Sequence, residues 1–346
     1  MGSVNKNVMV SESRLREICE TLLAKVGVLE GDKKIISDSI IEANLRGIDT
    51  HGIAILPTYL KRIEKGATNP VPHVTVEREG TAFSLFNGNN GLGAVVANEA
   101  VLKAVKEAQS KGAYVSFCKN TNTYGPASYY SSLAANMGMI CITMCNAPAS
   151  MSPWGGKKLM IGTNPISIAV PVEGENPIVL DMATSAAAKS KIYLALDKGG
   201  KIPLGWALDK DGKPTTEPTE ALKGFLLPLG GHKGYGLALM IDILAGLLSG
   251  SGSLDEVGSL HNQMEKGQNV GFIFLVINPD LVAGKQEFKN RIHELVRKIQ
   301  TCPPAEGTEC VLLPGEIEYR TKENRREKGI PVPENVMNQL YELLEK

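Results

Sequence analysis

Leu45-Arg-Gly-Ile-Asp-Thr-His51-Gly52 is the most informative stretch of this sequence, because it sets a histidine beside a glycine at the predicted end of a helix. A histidine titrates near physiological pH and can pass a proton in either direction. The glycine ends the helix at little cost and lets a ligand approach the backbone closely. His51 is therefore a candidate for proton transfer, and a histidine that only caps the helix is the alternative.

A second stretch, Pro228-Leu-Gly-Gly-His232-Lys233-Gly-Tyr-Gly236, opens an apolar helix. Its glycines free the backbone to point several N–H groups in one direction, the helix N-terminus adds partial positive charge, and Lys233 adds a full one. This combination is suited to holding a phosphate, and an ordinary glycine-rich turn is the alternative. The stretch matches neither a Walker loop nor the Gly-x-Gly-x-x-Gly pattern, which argues against a Rossmann domain.

Two further segments, Ile161-Gly-Thr-Asn-Pro165 and Leu180-Asp-Met-Ala-Thr-Ser185, each join an apolar strand-like run to small polar residues. The side chains of Thr163, Asn164 and Asp181 can make directed hydrogen bonds to a polar ligand or an imidazole. A buried Asp181 could fix the tautomer of a histidine. Each of these residues, taken alone, also suits a turn or a cap. A fourth segment, Leu313-Pro-Gly-Glu-Ile-Glu318, predicts a tight turn without chemistry of its own.

The pattern of apolar residues predicts an α/β fold in which helices separate the strands of a mixed sheet. We predict helices over residues 11–26, 33–45, 55–65, 94–111, 286–300 and 333–345, and strands over residues 113–118, 139–144, 167–172, 178–180 and 271–278. Residues 197–222 contain several prolines and form an excursion from this core. The longest apolar run, residues 237–248, contains Asp242 and is too short to span a bilayer, so it predicts a buried helix.

Composition excludes several classes of function. The 346 residues contain 37 Lys and Arg and 37 Asp and Glu, so no global charge attracts nucleic acid or a membrane surface. The six cysteines and five histidines show no metal-ligand spacing, so we expect no metal site. The stretch from Met1 to Lys6 lacks the apolar core of a signal peptide, and we expect a cytoplasmic protein with reduced cysteines.

The four motif segments, in this order, resemble the malate/L-lactate dehydrogenase family, which is distinct from the Rossmann dehydrogenases. That family includes sulfolactate and ureidoglycolate dehydrogenases and diketogulonate and piperideine-carboxylate reductases. The resemblance runs from about Ser11 to the C-terminus. It implies an α/β fold with a mixed-sheet, non-Rossmann NAD(P)-binding core in residues 74–279. A helical N-terminal lobe, residues 1–73, would pack with a C-terminal helical segment, residues 280–346.

The same resemblance implies a homodimeric oxidoreductase that uses NAD or NADP to transfer hydride to or from a 2-oxo acid, 2-hydroxy acid, imine or related carbonyl. His51 would be the proton donor, oriented or assisted by Asp181, and the active site would lie between domains. Positions that would contact the cofactor are Pro177, Ile178, Val179, Leu180, Asp181, Met182, Ala183, His232, Lys233, the turn from Gly315 and Glu316 to Thr321, and, from their polar side chains, Thr163 and Asn164.

Two positions depart from the family pattern. Ile55 stands where the family commonly has an arginine that binds the substrate carboxylate, and Thr123, next to Tyr124, stands where a histidine is expected. Isoleucine cannot replace the bidentate fork of arginine. Three hypotheses follow: a reductase with a different substrate, a conventional malate- or lactate-type enzyme in which Arg46 or Arg62 supplies the cation, or an inactive nicotinamide-binding homodimer.

Overall fold

The computed structural model describes residues 6–345, which form twelve α-helices and fourteen β-strands. The expectation about a signal peptide rests mainly on residues 1–5, which lie outside the described part. The helices are α1 (Glu12–Lys25), α2 (Glu30–Leu45), α3 (Leu56–Glu64), α4 (Gly93–Lys111), α5 (Ala127–Asn136), α6 (Lys189–Asp197), α7 (Pro218–Lys223), α8 (His232–Ile241), α9 (Pro279–Ala283), α10 (Lys285–Gln300), α11 (Glu316–Lys328) and α12 (Glu334–Glu345). The strands are β1 (Asn7–Val10), β2 (Thr75–Glu79), β3 (Phe83–Gly91), β4 (Ala113–Thr121), β5 (Ile140–Cys145), β6 (Ala149–Met151), β7 (Ile161–Gly162), β8 (Ile166–Val170), β9 (Ile178–Met182), β10 (Ala207–Leu208), β11 (Pro214–Thr215), β12 (Phe225–Leu226), β13 (Val270–Ile277) and β14 (Ile330–Pro333).

A seven-stranded sheet with the order β2-β3-β4-β13-β5-β8-β9 forms the centre of the molecule. Strands β3 and β4 pair in parallel, and the other neighbours in this sheet pair antiparallel. The mixed sheet confirms the predicted α/β class. It also differs from the doubly wound parallel sheet of a Rossmann domain.

Helices α4 and α5 cover one face of this sheet. The buried face of α4 carries small residues at helical spacing, among them Ala97, Ala100 and Ala104, so the helix can lie close to the strands. Phe272 and Phe274 of β13 are fully buried in the same cluster. This packing fixes the start of α5, where part of the candidate site lies.

The N-terminal helices form a lobe that is completed by the end of the chain. Strand β1 pairs antiparallel with β14, and Ile330 and Leu340 are buried in one cluster with Leu15 and Ile18. The α10 residue Val296, in contrast, belongs to a separate small cluster with Val172 and Leu313. The division of the chain at residues 73 and 280 stays a prediction.

The excursion forms part of a small second sheet. Strands β6 and β7 join β10, β11 and β12 in the order β11-β10-β12-β6-β7. Met151, Ile192 and Ala207 are buried in the core of this unit. This second sheet lies next to the glycine-rich loop, because Trp154 from the β6–β7 connection is close to His232.

The apolar run over residues 237–248 is only half buried, so the prediction of a buried helix is wrong. Helix α8 continues as a π-helical segment, Asp242–Leu247, and its inner face contributes the buried residues Ala238, Ile241 and Ala245. The opposite face is exposed at Leu237, Met240, Leu244, Leu247 and Leu248. Within residues 6–345, no helix is long and apolar enough to cross a membrane.

Candidate active site

The His51 segment is a short 3₁₀ turn, Asp49–His51, held between α2 and α11. The Asn44 side chain accepts a hydrogen bond from the Ile53 amide (2.6 Å) and donates one to Asp49 (2.7 Å). Arg325 of α11 donates to both Asp49 carboxylate oxygens at 2.6 and 2.9 Å. The turn is therefore rigidly anchored, which suits a residue that must be placed precisely.

The His51 imidazole makes no hydrogen bond to any residue that the structure describes. It does not cap α2, which ends at Leu45, so the capping alternative is wrong. The side chain is half-buried, and burial lowers its pKa from the usual value of a histidine. A neutral imidazole at pH 7 can accept a proton as a general base.

Asp181 lies on β9, the edge strand of the central sheet, opposite the N-terminus of α5. Its carboxylate accepts a hydrogen bond from the Ser128 amide (3.2 Å) in the first turn of that helix. The residue is exposed to solvent at its surface, yet many protein atoms surround its carboxyl group. Burial raises its pKa, as does the charge of Glu318, whereas the hydrogen bonding of Ser128 and the charge of Arg46 oppose this rise. In the described residues, no hydrogen bond joins Asp181 to His51.

Two predicted cofactor segments meet β9. The Val179 amide donates to the Pro314 carbonyl (2.9 Å), and Gly315 (φ +93°) packs so closely that an added Cβ would lie 3.1 Å from Val179. Beyond the other end of β9, the Leu229 amide donates to the Thr184 carbonyl (2.9 Å). The turn at Gly315 and the glycine-rich loop thus flank one strand.

The other residues of these two segments differ in accessibility. Glu316 closes its own turn, because its carboxylate accepts hydrogen bonds from the Leu313 amide (2.6 Å) and from Gln300 (3.1 Å). In the β9 segment, Pro177 is buried, Leu180 is exposed, and Ile178, Met182 and Ala183 are half-buried.

The glycine-rich loop has the features required to hold a phosphate. Gly230 and Gly231 adopt φ values of +61° and +68°, and His232 and Lys233 follow at the exposed N-terminus of α8. The first-turn amides of a helix lack intrahelical acceptors, and Lys233 pairs with no carboxylate in residues 6–345. Trp154 lies beside the loop with its ring 6.2 Å from His232. These donors fit a dinucleotide phosphate.

Asn164 has a structural role in the observed packing. Its amide donates to the Ala238 carbonyl of α8 (2.9 Å) and accepts from the Ala147 amide (3.0 Å), and the residue is fully buried. Both ends of the side chain are used, so it fixes α8 to the sheet. Thr163 is half-buried, and its carbonyl accepts from the amide and the hydroxyl of Thr184, both at 2.9 Å.

The two arginines proposed as substitute cations have different surroundings. Arg62 donates to the carbonyls of Gln263 (2.8 Å) and Lys266 (2.7 Å) and so holds the loop before β13. It is committed to that loop and is not free to bind a substrate. Arg46 is also buried. Its guanidinium donates to the Ser132 hydroxyl (3.1 Å) and lies over the Tyr319 ring, and its charge acts on Asp181.

The remaining substrate candidates lie mostly in the core. Ile55 is buried in the cluster of the N-terminal lobe. The ring of Tyr124 is stacked between Tyr130 and Phe272, with centroids at 5.0 and 4.7 Å, so it is a core residue. Thr123 is half-buried and donates its amide to Gln268 (3.0 Å).

A family model described as malate/L-lactate dehydrogenase matches residues 10–341. The chain belongs to the malate/L-lactate dehydrogenase family. This finding confirms the resemblance found in the sequence and makes the protein an oxidoreductase.

Relatives within the malate/L-lactate dehydrogenase family cover nearly the whole chain. L-sulfolactate dehydrogenase of Methanocaldococcus jannaschii is 44% identical over 93% of this chain and 92% of its own length. The solved structure of the sulfolactate dehydrogenase of that organism superimposes with a TM-score of 0.93 and 41% identity, covering 98% of this chain and 97% of the other.

Two more distant relatives are named for different cofactors. The NAD⁺-dependent ureidoglycolate dehydrogenase of Escherichia coli K12 is 32% identical over 96% of this chain and 94% of its own length. The NADP⁺-dependent (2R)-3-sulfolactate dehydrogenase of Chromohalobacter salexigens is 31% identical over 96% of this chain and 97% of its own. Both names agree with the predicted nicotinamide cofactor, NAD or NADP.

Inspection of motifs alone missed three residues near the candidate site: Ser128, Ser132 and Trp154. Ser128 and Ser132 lie one turn apart on α5, a spacing that could have indicated a shared polar face. The segment around Trp154 carries no recognisable motif. Tyr319 lies within the predicted turn from Gly315 to Thr321, but the sequence did not single it out. Within residues 6–345, no group of three or more His, Cys, Asp or Glu side chains could hold a metal ion.

Proposed function

We propose that this protein is an NAD(P)-dependent dehydrogenase that transfers hydride between nicotinamide and a 2-hydroxy or 2-oxo acid, or a related carbonyl or imine. One observation carries the proposal: the two predicted cofactor segments flank β9, and Asp181 lies on that strand between them. A single extended ligand can therefore contact all three features.

The cofactor is proposed to lie along β9. The N-terminus of α8 and Lys233 bind its phosphate groups, and His232 lies beside them. The close packing of Gly315 on Val179 brings its turn beside residues 177–183, which the cofactor is proposed to contact, with Thr163 nearby. When bound, the dinucleotide supplies the hydride chemistry.

His51 is proposed as the group that moves the proton. In the oxidation of a hydroxy acid, its neutral imidazole accepts the hydroxyl proton, and in reduction the imidazolium returns a proton to the carbonyl oxygen. Because no direct hydrogen bond joins the two side chains, Asp181 is proposed to act on His51 through the bound substrate or a water molecule.

The substrate is proposed to differ from that of family members with an arginine at position 55. Ile55 and Thr123 carry no charge, so the pocket lacks two of the usual polar contacts. Arg46 is the remaining cation, and its charge attracts the acid group of the substrate without a bidentate clamp. Hydroxy acids of the kinds named for the relatives, sulfolactate first, are the proposed substrates.

A homodimer is proposed as the functional unit. The outer face of α8 and its π-helical extension exposes Leu237, Met240, Leu244 and Leu247, which recur at helical spacing. A contiguous apolar face of this kind is typical of a protein interface. A second copy of the chain is the proposed occupant.

Turnover on a panel of substrates tests this function. Sulfolactate, malate, lactate and ureidoglycolate are each mixed with NAD⁺ or NADP⁺, and reduction is followed by nicotinamide absorbance, with His51→Ala as the control. We expect turnover of at least one acid, and a loss of about 10²- to 10⁴-fold in the control. Cofactor binding without turnover on the whole panel would instead support the inactive homodimer.

A further inference from the structure

The guanidinium of Arg46 lies in a buried position between α5 and α11. Arg46 is only 4% exposed, its Nη1 donates to the Ser132 hydroxyl (3.1 Å), and its Cζ lies 4.9 Å from the centroid of the Tyr319 ring. Its Nε has no hydrogen-bond partner in the described part of the chain. A buried guanidinium with an unpaired donor lowers the stability of the fold unless a nearby negative charge interacts with it.

Tyr319 connects this guanidinium to the predicted cofactor turn. The ring packs against Val179 of β9 and Ala135 of α5. The Tyr319 amide donates to the Gly315 carbonyl (3.1 Å), so the ring belongs to the first turn that follows the glycine. The ring and the guanidinium that lies over it are therefore connected to Gly315 through this turn.

Asp181 closes the arrangement from the other side. It lies two residues after Val179 on β9, and it accepts the amide hydrogen of Ser128, which precedes Ser132 by one turn on α5. The turn at Gly315, the Tyr319 ring, Arg46, α5 and Asp181 thus form a chain of contacts around β9, in which Arg46 and Asp181 contact residues of α5 that lie one turn apart.

We infer that Arg46 and Tyr319 form a positioning pair that couples the Gly315 turn to the carboxylate of Asp181. In this arrangement the ring fixes the guanidinium, and the guanidinium stabilises the ionised carboxylate. The carboxylate of Asp181 is therefore already ionised when a cofactor binds at the turn. A role of the Asp181 charge in catalysis rests on the proposed function. The coupling between the Gly315 turn and Asp181 does not depend on that function.

Four elements place polar or charged groups toward Asp181. Arg46 acts from the end of α2, Glu318 from α11, the Ser128 amide from α5, and the Tyr124 hydroxyl from the segment before α5. Among these groups Arg46 is the cation. Its removal leaves Glu318 as the nearby full charge, so the carboxylate becomes harder to ionise.

A direct titration of Asp181 tests the electrostatic half of the inference without cofactor or turnover. The protein is labelled with ¹³C at the Asp side-chain carboxyl, the Asp181 signal is assigned with Asp181→Asn, and its chemical shift is followed against pH by NMR. We expect Arg46→Met to raise the pKa of Asp181 by about 1 unit or more. Arg46→Lys, which keeps the charge, should shift it by less than half of that.

The ring is tested with a matched pair of variants, Tyr319→Leu and Tyr319→Phe. Loss of the ring should raise the dissociation constant of NADH about fivefold, measured by Trp154 fluorescence in a Trp206→Phe background, and should raise the pKa of Asp181. Phenylalanine keeps the ring face, so both quantities should stay near those of the parent. An Asp181 pKa unchanged in folded Arg46→Met, or identical behaviour of the two Tyr319 variants, would overturn the inference.

Discussion

The pKa values of His51 and Asp181 are shifted in opposite directions from those of free side chains. Burial lowers the pKa of the imidazole and raises that of the carboxyl, so their titration ranges approach each other. Side chains used for proton transfer work best when their pKa values lie near the operating pH. Opposite shifts of this kind are those expected of the acid–base pair proposed here, and no hydrogen bond joins the two side chains in residues 6–345.

The lowered pKa of His51 predicts pH profiles of opposite sign for the two directions of the reaction. Oxidation needs the neutral imidazole, so kcat/KM should rise with pH and level off at a lower pH than an ordinary histidine would give. Reduction needs the imidazolium, so kcat/KM should fall over the same range. Initial rates measured in both directions check this, and slopes of the same sign would rule out His51 as the proton-transfer group.

Ile55→Arg tests the departure from the family pattern. The variant restores a bidentate partner for a carboxylate, so kcat/KM on malate or lactate should increase about tenfold relative to the parent. Because Ile55 is buried, the melting temperature should fall. Ile55→Met, which conserves volume without charge, is the control. If Ile55→Arg folds and binds NADH but kcat/KM does not increase, the loss of an arginine at position 55 does not explain the substrate preference.

At the scale of elements, β9 and the N-termini of two helices organise the site. The first turn of α5 provides an amide to Asp181, and the first turn of α8 presents Lys233 beside two glycines. Helix N-termini favour negative groups. One helix N-terminus thus faces a carboxylate of the protein, and the other is the proposed binding place of a ligand phosphate.

Two glycines of the loop and helix should respond differently to alanine. Gly231 adopts φ +68°, and an added Cβ would lie 3.1 Å from the Trp154 ring, so Gly231→Ala should cost about 1–2 kcal/mol and weaken NADH binding roughly tenfold. Gly236 lies inside α8 with open space around it, so Gly236→Ala should bind NADH normally and gain about 0.5–1 kcal/mol of stability. Fluorescence titration and thermal unfolding measure both effects, and equal behaviour of the two variants would contradict the loop assignment.

At the scale of the whole molecule, the sequence predicted the main elements but not the strand pairing that joins the two ends of the chain. Helix α4 and strands β4, β5 and β13 lie within a few residues of their predicted bounds, because periodic burial is a local signal. The pairing of β1 with β14 was not predicted, since it joins segments more than 300 residues apart. The short strands β10 to β12 carry too few residues to show a pattern.

The site was predictable to the extent that its residues lie in motifs. His51, Asp181 and Lys233 were singled out as candidates. Ser128 was not, and Tyr319 was included only as part of the turn from Gly315 to Thr321, because the surroundings of both residues depend on packing around β9. Asn164 and Tyr124, in contrast, were predicted as ligand contacts but lie in the interior of the fold. Their residue types suit ligand contacts, but the fold uses both side chains internally.

The exposed face of α8 predicts the assembly state. Leu247→Glu places a charge on the most exposed residue of the apolar face and should convert a dimer into monomers, as measured by light scattering after gel filtration. Leu204→Glu is the matched control, because Leu204 is equally exposed (71% against 63%) but lies in the excursion. A monomeric parent protein, or a Leu247→Glu variant that stays dimeric, would refute this interface.

The geometry of His51 relative to a bound nicotinamide is the most direct test of the proposed mechanism. A crystal structure with NADH and an unreactive analogue of the substrate provides it. We predict an imidazole nitrogen within about 2.6–3.2 Å of the C2 oxygen of the analogue, with the nicotinamide ring on the far side of that carbon. An imidazole that points away from the ring, with no room between them for a ligand, would contradict the account.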